Sequence, residues 1–333
     1  MKVLKIILII LGALIGLFII ITLLLPSKSH VERTVTINAP INVVYNMFAN
    51  LKNWERWDYW QELDTNQKRE YSKPPVGKGA YYTWSSTNKD VGKGKLTITE
   101  AKSPSYLKME LGFGDNKMGS GEVFLSEKDG KTTAKWTMDS DLHFLWKWFG
   151  LMMDAMVGPF FEKGLDKMKS YCEKYVNGKY TIEFIDTPEQ TILFVKDSSG
   201  MKPAEIGAKL GKAYGEIAGF MKKNNVGFAG NPVAITLNDW DGKSWIFNAG
   251  MPVAVKYVKT EGRIQLGGIP SGKTIKSVYT GPYEASMPAY EEIMKFITYF
   301  KFEIRDKSWE AYPNNPKNTT KDKLITEIYF PVY

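Results

Sequence analysis

Histidine and cysteine are nearly absent from this chain. Its 333 residues include 1 cysteine, Cys172, and 2 histidines, His30 and His143. No internal disulfide can form, and zinc sites built from histidine and cysteine are excluded. A serine–histidine–aspartate triad would have to use His143, because His30 adjoins a long apolar run. Arginine is scarce too: Arg33, Arg56, Arg69, Arg263 and Arg305 are all there are, so the net charge of +8 comes mostly from lysine. Nucleic-acid readers lean on arginine forks for bases and phosphates. No nucleic-acid partner is expected, and neither is a metal or a cofactor. Scattered lysine reads as a solvated surface, compatible with nearby anionic lipid. Hydrophobic residues make up 44 % of the chain and aromatics 14 %, enough for two ordinary cores and for pocket walls.

Residues 6–25 carry no charge. As a helix such a run spans about 30 Å, the thickness of a bilayer core. Lys2 and Lys5 precede it; Pro26, Lys28 and Arg33 follow. A cleaved signal peptide is the rival reading. Its apolar core would be shorter and would end in small residues, whereas this run ends Leu23-Leu-Leu-Pro-Ser-Lys28. Residues 1–28 are therefore read as an uncleaved single-pass anchor in the cell membrane. A short basic stretch ahead of a first apolar helix stays in the cytoplasm, which places the soluble part outside it.

Residues 31–176 open on Val31-Glu-Arg-Thr-Val-Thr-Ile37, which alternates like an edge strand. Asn38-Ala-Pro40 turns into a helical run over 41–48, and a tryptophan-dense stretch follows at 51–60. Strand-like runs lie at 79–85, 92–98, 107–113, 121–126 and 132–138. Phe161, Leu165, Met168, Cys172 and Tyr175 then mark one face of a long closing helix, with Pro159 suited to its first turn. Ile37-Asn-Ala-Pro40, Asn53-Trp-Glu-Arg-Trp57, Gly77-x-Gly79 with Trp84, Gly92-x-Gly94 and Glu162-Lys-Gly-Leu-Asp-Lys-Met-Lys169 resemble the START-like family, also called polyketide cyclase (SRPBCC). The resemblance spans nearly the whole region. It implies a helix-grip fold: a curved antiparallel sheet around a C-terminal helix, with an apolar cavity between. Met109, Leu111 and Phe113 share a strand face, and Trp84 and Trp136 come from other strands. Trp146, Phe149, Met152, Met153 and Met156 approach the long helix. Methionine and tryptophan make adaptable walls, and the same residues equally make an ordinary core. His143, Asp139 and Asp141 fit a loop at the cavity mouth better than an acid–base site.

Residues 179–333 follow a joint at Asn177-Gly178 and contain a repeat. Thr187-Pro-Glu-Gln-Thr-Ile-Leu-Phe-Val195 and Ile269-Pro-Ser-Gly-Lys-Thr-Ile-Lys-Ser-Val278 each lead into a helical stretch and two strand-like runs. This is one β-α-β-β unit used twice, and two such units paired across a pseudo-two-fold leave a cleft. Further strands are read at 180–185 and 191–196. The first helix starts at Pro203 and turns Ile206, Leu210, Tyr214, Ile217 and Met221 to one side. Gly207, Gly211, Gly215 and Gly219 recur along it. Helical glycine costs about 1 kcal/mol against alanine, so a close approach of this helix to its sheet is expected. The second helix, over 288–300, turns Tyr290, Ile293, Met294 and Ile297 inward. The copies differ where the second reads Trp309-Glu310-Ala311-Tyr312 and the first Val233-Ala234-Ile235-Thr236: an acid stands in place of alanine.

Ser277-Val-Tyr-Thr-Gly-Pro-Tyr283, Ser308-Trp-Glu-Ala-Tyr312 and Thr326-Glu-Ile-Tyr-Phe-Pro-Val332 resemble the GyrI-like domain, the effector-binding module of AraC- and MerR-type activators. The resemblance implies an aromatic-lined cleft for lipophilic, often cationic, compounds, with a glutamate at its floor that maps onto Glu310. It also implies that some relatives are hydrolases using a glutamate and a tyrosine, here Glu310 and a neighbour such as Tyr283. The residues themselves support the cleft. Burying an unpaired acid among aromatics is costly, so Glu310 must face water, find a base or await a cation. Carboxylate and ring faces both attract an organic cation. An ordinary solvated glutamate on a surface strand is the alternative. Tyr312, Trp309, Tyr279, Tyr283 and Trp245 are the candidate walls, with Trp240 and Tyr257 behind them. The activators' DNA-binding helix-turn-helix is replaced here by the START-like region and the anchor, which argues against direct gene regulation.

The expected architecture is α+β: one transmembrane helix, a helix-grip START-like domain and a duplicated β-α-β-β GyrI-like domain. The expected function is a membrane-anchored binding protein with an apolar START-like cavity and a cleft for a lipophilic or amphipathic small molecule. A hydrolase of reactive lipophilic toxins at Glu310 is the alternative; a protein whose clefts are filled by their own side chains is a third.

Overall fold

The computed structural model describes all residues except 1, 90, 115, 176, 240 and 241, so the Trp240 candidate lies outside the described residues. The chain divides into two units, Met1–Val176 and Asn177–Tyr333.

The first unit begins with α1 (Lys2–Leu24), whose apolar side chains are largely exposed. Over Val3–Leu24 its mean hydropathy is 3.2, so it is long and apolar enough to cross a membrane, a test that a signal sequence also passes. Next come β1 (Lys28–Ile37), α2 (Ile41–Ala49), α3 (Trp54–Trp57) and β2 (Lys68–Tyr71). They are followed by β3 (Tyr81–Ser85), β4 (Lys93–Lys102), β5 (Tyr106–Phe113), β6 (Asn116–Lys128) and β7 (Lys131–Asp141). Two helices close the unit, α4 (Lys147–Gly150) and α5 (Met153–Glu173). The strands form one antiparallel sheet in the order β1-β7-β6-β5-β4-β3-β2. The alternation at 31–37 does mark an edge strand, while β2 gave no sequence signal.

An indole cluster fills the space between sheet and helix. The indole N–H groups of Trp54 and Trp57 donate to the carbonyls of Phe48 (2.9 Å) and Met47 (3.0 Å). These carbonyls lie in the last turn of α2 and have no partner within the helix. Trp136 on β7 stacks on Phe161 of α5, with centroids 3.7 Å apart and planes 5° off parallel. Its edges meet Trp54 and Trp57 at 5.7 and 5.5 Å. Arg33 on β1 ties down α5 from outside, through Asp154 (2.7 Å) and Glu162 (2.6 Å). On the sheet, Trp84 lies across Gly94, where a Cβ would come within 2.3 Å of the ring. Pro159 is not in the first helical turn. It lies inside α5, because the helix extends back to Met153 through residues read as a separate approach segment.

In the second unit, β8 (Ile182–Thr187), β9 (Gln190–Gly200), α6 (Pro203–Lys223), β10 (Val233–Thr236) and β11 (Ser244–Pro252) form the first half. The second half is β12 (Ile264–Ile269), β13 (Gly272–Thr280), α7 (Met287–Tyr299), β14 (Trp309–Ala311) and β15 (Ile325–Pro331). All eight strands join one antiparallel sheet, β12-β9-β11-β10-β14-β15-β13-β8. Each half lends its first strand to the other: β8 pairs with β13, and β12 with β9. The repeat reaches the backbone. Helices α6 and α7 both end on a residue with positive φ, Asn225 at 52° and Lys301 at 49°. The N–H two residues past each cap then closes the turn, Val226 on Met221 O and Phe302 on Ile297 O, both 2.9 Å. At the joint, the Glu292 carboxylate accepts the N–H groups of Lys179 and Tyr180 (2.9 and 3.1 Å). It presses on Gly178, where a Cβ would come within 2.2 Å.

Two expectations fail on the helices. Met294 is exposed; Ala289, Ile293, Phe296 and Ile297 are the buried positions of α7. The glycine stripe of α6 does not approach the sheet. Gly207, Gly211, Gly215 and Gly219 face open space, with nothing within 4 Å of an added Cβ, because Ala213, Ile217, Phe220 and Met221 take the inward positions. The substitutions Gly207→Ala and Gly211→Ala are therefore expected to stabilise the second unit by about 0.5–1 kcal/mol each, measured as higher denaturant midpoints. Destabilisation would show that the stripe packs against something in solution.

Candidate functional site

Strand β14 brings one acid to the middle of the second sheet. Alternation along the strand puts Glu310 and Tyr312 on the helix side, and Trp309 and Ala311 on the other. Trp309 stacks there on Tyr329 (5.0 Å, 8°), within an apolar cluster with Ile192, Val233 and Ile269. Strand β14 pairs with β10, so that Ala234 stands directly opposite Glu310. The same constant offset relates Ala234 to Glu310, Asn225 to Lys301 and Tyr214 to Tyr290. The pseudo-two-fold axis thus passes between Ala234 and Glu310. Two acids at these equivalent positions would face each other across a ladder rung, where like charges repel.

Tyrosines surround the Glu310 carboxylate. Tyr290 on α7 donates its hydroxyl to one oxygen, and Tyr312 donates to the other. Tyr283 lies edge-on to Tyr312 at 5.4 Å, and Tyr214 of α6 does the same from the other half at 6.5 Å. Tyr214 turns its own hydroxyl to the Val233 carbonyl (2.8 Å). Burial raises the carboxyl of Glu310 above the ordinary range, against the pull of its two tyrosine donors, and no basic side chain is among the groups acting on it. Tyr214, Tyr290 and Tyr312 are pushed well above the usual phenol range, first by burial and then by the Glu310 charge. They stay neutral and remain donors. Glu310 itself is only part-buried, so the cage has a solvent side.

The candidates from sequence divide accordingly. Glu310, Tyr312 and Tyr283 come together. Trp309 lies on the opposite sheet face. Tyr279 is buried beside Tyr180 (6.1 Å). Trp245 belongs to the core under α6 and donates to Thr236 (3.1 Å). Tyr257 is 79 % exposed. Tyr214 and Tyr290 were read only as inward helix residues. The signal that assigns them to the site is the alanine–tyrosine pair that recurs at one offset in both helices, Ala213-Tyr214 and Ala289-Tyr290.

In the first unit, Trp84, Trp136 and Met109 are buried in side-chain packing. Phe113 lies against Trp84 at 5.1 Å and is partly exposed, as is Met153 on the first turn of α5. Trp146, Phe149, Met152 and Met156 are exposed. Asp139 pairs with His30 (2.7 Å), and His143 is exposed. Among the described residues no cluster of histidine, cysteine, aspartate and glutamate could hold a metal ion.

Comparison with known proteins agrees with this division. Residues 28–173 match the family described as polyketide cyclase / dehydrase and lipid transport. Residues 180–333 match the GyrI-like small molecule binding domain. No curated protein matches the chain. Among solved structures, the C-terminal domain of EcmrR is similar at 18 % identity, covering 47 % of this chain and 99 % of its own, with a TM-score of 0.42. A hydrolase from Listeria innocua is similar at 17 % identity, covering 52 % and 98 %, with a TM-score of 0.36. A protein from Mycobacterium smegmatis is similar at 16 % identity, covering 42 % and 88 %, with a TM-score of 0.32.

A carboxyl raised by burial favours the folded state less once it ionises. Wild-type stability should therefore fall as pH rises from the ordinary carboxylate range through the raised value of Glu310. In Glu310→Gln that loss is absent. The gap in unfolding temperature between variant and wild type should widen with pH over this window. Parallel curves would mean that Glu310 ionises as freely as in the unfolded chain.

Proposed function

We propose that this chain, in which a polyketide cyclase / dehydrase and lipid transport domain precedes a GyrI-like small molecule binding domain, is a membrane-anchored receptor for lipophilic organic cations. The observation that carries this reading is the Glu310 carboxylate, held by Tyr290 and Tyr312 in a tyrosine cage with no basic partner acting on it. A negative charge placed among ring faces is left short of a counter-charge. A flat or branched cation supplies one, and the rings add cation–π attraction of about 0.5–2 kcal/mol. The two phenol donors fix the carboxylate in position before the ligand arrives, which lowers the ordering cost of binding.

Helix α1 serves as the anchor in this reading, supported by its length and apolar composition. The first unit is the lipid-facing partner. In its interior Trp136 stacks on Phe161, so an apolar ligand seated between sheet and α5 at this point would have to part these rings. Sensing, sequestration or delivery of the cation are the outcomes open to such a protein.

Hydrolysis at the same site requires Glu310 as general base, and burial does raise its pKa in the useful direction. Both of its oxygens, however, already accept tyrosine hydroxyls, which weakens it as a base and leaves binding the better-supported reading.

Calorimetric titration of the full chain in detergent with tetraphenylphosphonium tests the proposal. Saturable binding is expected, weaker in Glu310→Gln by about tenfold or more, the equivalent of about 1.4 kcal/mol. Because the cation binds the ionised carboxylate, affinity should fall as pH drops through the raised Glu310 value. Equal affinity for both proteins sinks the claim, and product analysis of a reactive ester in place of the probe detects turnover.

A further inference from the structure

The first unit leaves one stretch of apolar surface that its fold does not cover. Between β7 and α5 the chain runs through Leu145, Trp146, Phe149, Leu151 and Met152, and these side chains are 69, 56, 46, 61 and 55 % exposed. Of these, Trp146, Phe149 and Met152 are expected from the sequence to approach the long helix as cavity walls; they face out. Elsewhere in this unit, apart from α1, the exposed large hydrophobics among the described residues stand singly, as Leu63, Tyr81 and Phe124 do. Single exposed apolar residues are ordinary, but a contiguous patch marks an interaction surface.

The patch is continuous with α1. Trp148 stacks on Phe18 (5.5 Å, 9°) and donates its indole N–H to Thr22 (2.8 Å). Lys147 reaches the Leu23 carbonyl at 3.5 Å. Phe18 lies about 9 Å before the end of α1 at 1.5 Å per residue. The segment thus descends along the last turns of the helix to the depth, about 5–10 Å, at which interfacial helices bury their apolar face. Tryptophan at that level is the side chain that membrane–water interfaces select. Only Lys147 is charged between Phe144 and Met153.

We propose that the 144–152 segment is a second membrane element, which inserts its aromatic and aliphatic side chains into the bilayer leaflet where α1 emerges. The first unit is then seated on the lipid surface rather than tethered above it. This rests on the reading of α1 as an anchor. The sheet end at Lys28 and Asp141 faces the lipid, and the turn at Lys131 lies about 30 Å away along β1 and β7 at 3.3 Å per residue.

The sole cysteine makes the test direct. Cys172 is buried, and burial pushes its thiol up to about 12, so it stays unlabelled. Nitroxides are placed on Leu145→Cys, Met152→Cys, Leu11→Cys and Lys131→Cys in the full chain reconstituted in lipid nanodiscs. Relaxation by oxygen is compared with relaxation by a water-soluble nickel chelate. The oxygen-to-nickel ratio at 145 and 152 is expected several-fold above that at 131 and towards that at 11. Lipid exposure at 11 with aqueous values at 145 and 152 overturns this inference alone. Aqueous values at 11 overturn the anchor reading with it. Protection from both agents with dipolar broadening at 145 and 152 overturns it in favour of contact between two copies of the chain.

Discussion

The pairing of β10 with β14 is the constraint on which the second unit depends. These two short strands lie at the middle of the sheet and join the two halves. Their antiparallel register puts equivalent residues opposite each other, with the axis between Ala234 and Glu310. Any side chain at this position meets its own counterpart. A small residue on one strand leaves room and removes the repulsion that a second acid would bring. The exchange of β8 and β12 between halves follows the same logic. Each half completes the other's edge, so the rung that carries Glu310 is held on both sides by continuous sheet.

Around that rung the electrostatics are lopsided. A carboxylate removed from water normally requires a cation or several hydrogen-bond donors. Here it has two neutral phenols. Burial raises the phenols, which keeps them neutral hydroxyl donors, and it raises the carboxyl as well, which makes the charge on Glu310 harder to hold without a cation. The symmetry of the helices is broken by this one acid. Tyr214 satisfies its hydroxyl on the backbone of β10, whereas its equivalent Tyr290 turns to Glu310.

The first unit solves a different problem with the same residue type. Its indoles serve as hydrogen-bond donors to a helix end and as filler between sheet and α5 at once. Aromatics that this core does not absorb are concentrated beside α1. Helix α1 and the apolar segment before α5 are separated by more than a hundred residues of sequence, and the β1–β7 pairing brings them together.

The sequence by itself determined the two-unit plan, the long apolar helix, the edge strand at β1, the closing helix and the duplicated unit with an acid in only one of its copies. These are matters of periodicity, run length and repetition, which local sequence carries. It marked Glu310, Tyr312 and Tyr283, because an acid among aromatics in one copy of a repeat is visible without coordinates. What only the tertiary structure decided is where faces point. Tyr214 and Tyr290 looked like core residues since both are inward; that inward here means towards a carboxylate depends on strand register across the axis. The glycine stripe of α6 and the apolar run before α5 both had the composition of packed surfaces, yet both lie outside. Burial is set by which neighbouring element arrives to cover a face, and that information is spread over residues far apart in the chain.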